Sequence, residues 1–128
     1  MIKDPWNPKA EEIREWAYSD DRWPEQDWDI GVCNGEHDPL LYKLASDLEC
    51  PQRRFFLHTL YFMVGDAIHC GNIQRQKRLL KWIESLEPSP HQNLNEWKKE
   101  AILILNGEME FDYDYWCDDA LERLADKI

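Results

Sequence analysis

PQRRFFLHTLYFMVGDAIHC, residues 51–70, is the stretch that decides the fold. Pro51 suits the first turn of a helix, and the run that follows is apolar on nearly every side: Phe55, Phe56, Leu57, Leu60, Phe62, Met63, Val64, Ala67 and Ile68. A helix of that kind is stable in water only when other elements cover it, so residues 51–70 are expected to form a central helix. The apolar part, Phe55–Ile68, carries His58 and Asp66 and is shorter than the ~20 residues needed to cross a bilayer. A core element is therefore expected, with no membrane span.

Outward from this hub the chain reads as more helices. Asn7-Pro8 has the form of an N-cap followed by proline, and Ile13, Trp16 and Ala17 recur at helical spacing, which predicts a helix near 8–18. Asp38-Pro39 repeats the signal before Leu40, Leu41, Leu44 and Ala45, predicting a second helix near 39–47. After the hub, Gly71 suits a helix terminus and Asn72 a new cap. The helix that follows carries Ile73, Leu79, Leu80, Trp82, Ile83 and Leu86 and is stopped by Pro88. Ser89 and Gln92 have capping-box spacing ahead of Leu94, Trp97 and the run Ala101–Leu105, which Asn106-Gly107 ends. A last helix is expected near 115–127, held by Leu121 and Leu124. The expectation is an all-α single domain over residues 1–128, an irregular bundle of about six helices.

Two segments depart from helical periodicity. Ser19–His37 contains Pro24, Gly31 and Gly35 among acids and tryptophans and reads as an irregular acidic loop. Glu108–Tyr115 alternates acids with Met109, Phe111, Tyr113 and Tyr115, the pattern of an extended acidic segment. Both lie in strongly acidic flanks. The formal net charge of the 128-residue chain is −11, and residues 1–38 contribute −7 and residues 106–128 contribute −6, whereas residues 53–81 carry +5. Internal pairing can satisfy the bases but cannot remove the net charge, so a negative, tryptophan-bearing surface is expected to face solvent or a partner.

The chemistry within reach of these residues is limited. His58, Asp66 and His69 fall on the hub helix, and a small enzyme using them is one reading; buried polar groups bonded to neighbouring helices is the more economical one. Cys33-x3-His37 and His69-Cys70 lack the paired short spacings of a structural zinc site, so neither metal nor cofactor is expected. The four cysteines, at 33, 50, 70 and 117, form no CxxC and read as reduced thiols. Residues 31–35, GVCNG, lack the strand and helix that frame a phosphate loop. Arg75, Lys77, Arg78 and Lys81 oppose the long-range field of the chain, which argues against nucleic acid. With no cationic apolar leader at Met1–Pro8, a cytoplasmic protein is expected.

The sharper expectation is a binding surface in which acids steer a basic partner and aromatic rings anchor it. The residues expected to make it are Asp27, Trp28, Asp29 and Glu36 in the first flank and Asp112, Tyr113, Asp114 and Asp118 in the second.

Trp28-Asp29-Ile30-Gly31, then Asp38-Pro39-Leu40-Leu41, Leu44-Ala45-Ser46-Asp47, Cys50-Pro51, Phe55-Phe56-Leu57-His58 and Val64-Gly65-Asp66 give residues 28–66 a sequence that resembles small bacterial immunity proteins. Such proteins are encoded beside secreted or contact-delivered toxins. The resemblance implies a cytosolic, non-enzymatic protein that binds a cognate toxin and blocks its cleft, with acids where the toxin is cationic. It carries over no defined site. A helical adaptor for another basic protein would use the same surface and is the alternative.

Overall fold

The computed structural model describes residues 8–19, 33 and 37–110. These residues contain five α-helices: α1 Ala10–Ala17, α2 Asp38–Ser46, α3 Arg53–His69, α4 Ile73–Ser85 and α5 Gln92–Leu105. No strand occurs among them, and the all-α class holds. None of these helices is long and apolar enough to cross a membrane. The expected helix at 115–127, nearly all of the acidic loop, and residues 111–115 of the alternating segment lie outside the described residues. The chain divides into two compact units, Met1–Met63 and Val64–Ile128, with the division inside α3.

In the first unit α1 packs against α2. The core contains Ile13, Trp16 and Ala17 from α1, Leu41, Leu44 and Ala45 from α2, and Phe55, Phe56, Leu57 and Leu60 from α3. Trp16, Phe55 and Phe56 form a three-ring cluster of edge contacts, with centroid separations of 5.0, 5.9 and 5.2 Å. In this geometry the positive edge of one ring meets the negative face of another. Arg53, at the start of α3, is buried and donates from Nε to the carbonyl of Ala45 at 2.8 Å. A fixed cation thus satisfies one of the carbonyls that the end of α2 leaves without a helical partner.

The second unit is built on α4 packed against α5. Leu79 and Ile83 of α4 are buried, as are Leu94, Trp97, Ala101 and Ile104 of α5. The corner between α3 and α4 turns at Gly71, whose φ of +68° is open to glycine at little cost. Three bonds hold that corner: Asn72 Oδ1 accepts the Arg75 N–H, Gln76 Nε2 donates to the Ala67 carbonyl, and Arg75 pairs with Asp66. Gly107, with φ +74°, closes α5. The Gly107 N–H bonds to the Ile104 carbonyl and the Glu108 N–H to the Leu103 carbonyl, the paired bonds of a Schellman motif.

Three cap expectations shift. Lys9, not Asn7, is the N-cap of α1, and its N–H bonds to Glu12 Oε1, so Pro8 stands outside the helix. His37 precedes α2, placing Asp38 and Pro39 in the first turn, where the carboxylate faces the positive helix end. Ser89 and Gln92 form no capping box. Ser89 Oγ accepts the His91 N–H, and the Asn95 side chain bonds to both the N–H and the carbonyl of Ser89. The primary amide of Asn95 supplies donor and acceptor together, which a hydroxyl–Gln92 arrangement would have divided between two residues. Glu108 and Met109, read as the start of an extended segment, instead turn their amides back onto the Leu103 carbonyl.

Candidate functional site

The eight residues expected from sequence to contact a partner, Asp27, Trp28, Asp29, Glu36, Asp112, Tyr113, Asp114 and Asp118, all lie outside the described residues. The described part contains a different acidic and aromatic surface, formed where the end of α1 meets the turn between α2 and α3. The last carbonyl of α1 and that of Ser19 just beyond the helix have no helical donors and are satisfied from that turn. Cys50 Sγ and the Gln52 N–H donate to the Ala17 carbonyl, and Gln52 Nε2 donates to the Ser19 carbonyl. Within the turn, Asp47 Oδ1 accepts the Glu49 N–H at 2.9 Å and the Asp47 carbonyl accepts the Cys50 N–H at 3.1 Å.

These bonds bring Tyr18 to Asp47, 29 positions later, where the phenol donates to Oδ2 at 2.5 Å. That hydrogen bond, with desolvation and the charge of Asp47 adding to it, pushes the Tyr18 phenol up to about 12, and the same bond together with the Glu49 N–H holds the Asp47 carboxyl below its usual range. The neutral phenol and the ionised carboxylate are therefore the forms favoured by folding. The Asp47 contribution is present above its ordinary pKa and fades as pH falls below it; the Tyr18 contribution is present below ~10 and is lost as pH rises toward about 12. An Asp47→Asn variant should bring the Tyr18 midpoint back toward ~10. A pH titration of the Tyr18 ring resonances checks this, and an unchanged midpoint would show that Asp47 does not set it.

Sequence reading passed over this surface because Tyr18 and Asp47 are distant along the chain. Its only local signal is the Asp47-Leu48-Glu49 triplet, a short copy of the acid–apolar alternation seen again after Glu108.

The hub-helix polar residues divide by environment. His58 is half-buried, its ring 6.4 Å from that of Phe62. Asp66 is engaged by Arg75 and by the Cys70 thiol at 3.5 Å, and His69 is exposed. Eleven residues of helix rise about 16 Å, so a shared face does not bring His58 and His69 to one reacting atom.

Cys33, Cys50 and Cys70 are free thiols. Cys33 and Cys50 are buried and donate to the carbonyls of Thr59 and Ala17. Burial pushes the Cys50 thiol up, and the negative charge of Asp66 does the same at exposed Cys70. His37 Nε2 donates to the Pro8 carbonyl at 2.8 Å, so it tethers the entry to α1. Among the described residues no group of three His, Cys, Asp or Glu is placed to hold a metal ion. On α4, Lys77, Arg78 and Lys81 are exposed on the side away from buried Leu79 and Ile83.

Comparison of the chain with protein-family models, with curated proteins and with solved structures finds no match.

Proposed function

We propose that this protein is a bacterial immunity protein, a cytoplasmic, non-enzymatic inhibitor that binds a cognate toxin through an acidic, aromatic surface. The observation that carries the reading is the segregation of charge: −7 over residues 1–38 and −6 over residues 106–128, each block interleaved with Trp or Tyr, against +5 over residues 53–81. An inhibitor of a cationic enzyme needs such a surface, because acids accelerate encounter and buried aromatic rings slow release. The resemblance of residues 28–66 to immunity proteins supports the same reading. Asp27, Trp28, Asp29, Glu36, Asp112, Tyr113, Asp114 and Asp118 are the proposed contacts in the two flanks.

Co-expression with the product of the adjacent reading frame tests the proposal. The protein should restore growth of cells that this product arrests, and arrest despite soluble expression of the protein would count against an immunity role. Replacing Asp112 and Asp114 by lysine should slow association by about tenfold or more at low salt, with a smaller effect at high salt. Stopped-flow kinetics measures both. Unchanged rates would place the steering surface elsewhere.

A further inference from the structure

Three large apolar side chains are exposed among the described residues: Tyr18 at 52%, Leu48 at 69% and Ile73 at 57%. Single exposed apolar residues are ordinary on protein surfaces. Tyr18 and Leu48 differ in being brought together, since the Tyr18 phenol is bonded to Asp47, the residue before Leu48. Leu48 is flanked by Asp47 and Glu49, and residues 44–52 contain no base. The backbone carrying them is pinned at Ala17, Ser19, Asp47 and Cys50 by the bonds described above. Little conformational entropy would remain to be lost on docking there.

We propose that Tyr18, Asp47, Leu48 and Glu49 form a docking surface for a cationic protein that has an apolar recess. Leu48 enters the recess, the Tyr18 ring covers its edge, and Asp47 and Glu49 meet lysine or arginine at its rim. Under the function proposed above, that protein is the toxin, and this surface adds a rigid anchor to the contacts in the flanks. The choice of a cationic partner follows from the two carboxylates and the net charge of −11. A second copy of the chain offers Ile73, Lys77, Arg78 and Lys81, but two molecules of charge −11 repel as they approach.

The surface can be tested without the toxin. A synthetic peptide of alternating lysine and leucine is titrated into the full chain labelled with ¹⁵N, with an alternating glutamate–leucine peptide as control. Amide shifts should concentrate at Tyr18 and Asp47–Glu49. Binding should weaken by about tenfold in Leu48→Ser, whose free spectrum stays folded, and should weaken again as salt rises from about 50 to about 500 mM.

Shifts centred elsewhere, no binding at millimolar peptide, or equal binding by Leu48→Ser would overturn the proposal. Shifts that track the concentration of the chain alone would also overturn it, in favour of a second copy. If the peptide behaves as expected but the adjacent gene product is not neutralised, the docking surface stands and the immunity reading fails. If neutralisation is retained in full by Leu48→Ser, the immunity reading stands and the surface is overturned as the toxin contact.

Discussion

Trp97→Ala should destabilise the protein by about 3–5 kcal/mol and lower its thermal midpoint by more than about 10 °C. Trp97 is fully buried in α5, with Leu94 about one turn before it and Ala101 about one turn after it also fully buried. Alanine there removes the largest fully buried side chain among the described residues and leaves a space that neighbouring groups fill only in part. Trp82, on α4, is only half-buried, and its replacement by alanine should cost roughly a third as much. Urea unfolding of the two variants makes the comparison. If they lose equal stability, Trp97 does not occupy the closed site assigned to it.

Trp16→Ala should cost a similar ~3–5 kcal/mol, for a partly different reason. Trp16 makes edge contacts with both Phe55 and Phe56, each worth about 0.5–1.5 kcal/mol beyond the area buried. Trp16→Phe keeps an aromatic ring and should recover about half of the loss. The Trp16 carbonyl, which accepts both the N–H and the hydroxyl of Ser19, is kept in either variant, so the loss falls on the ring cluster that holds α1. Amide exchange should therefore quicken across α1 in Trp16→Ala while α5 is less affected. Exchange that quickens equally in both helices would mean that α1 opens only with the whole protein.

Both variants test positions that periodicity made legible. Ile13, Trp16 and Ala17 recur as an apolar face in the sequence and are the buried residues of α1. Within the apolar run of residues 51–70, Arg53–His69 likewise became a helix buried nearly all round, with Pro51 in the turn before it, and Asn72, Gly71 and Gly107 fell at the termini where side-chain oxygen and positive φ are useful. Caps read from dipeptides shifted by one or two residues, since a helix start depends on which carbonyl first receives an N–H, not on the capping residue alone. At Ser89 the local pattern lost to Asn95, whose amide makes two bonds at once.

Charged residues were harder to place. Arg53 reads only as one of the bases of the basic middle, residues 53–81, but its buried guanidinium serves the end of α2. Asp66, a candidate acid on the hub helix, is engaged across the corner by Arg75. A charge has no periodicity that reveals its partner, and the partner decides whether it serves the fold or a ligand.

By itself the sequence determined the all-helical class, the central apolar helix, the glycine termini and the division into acidic flanks and a basic middle, because these follow from side-chain spacing and composition. Only the tertiary structure decided that Tyr18 reaches Asp47, that Leu48 stands exposed between two carboxylates, and that the carbonyls of Ala17 and Ser19 are satisfied from the turn before α3. Those pairings join residues about thirty positions apart, and nothing in local spacing encodes a contact that exists only after the chain has folded back on itself.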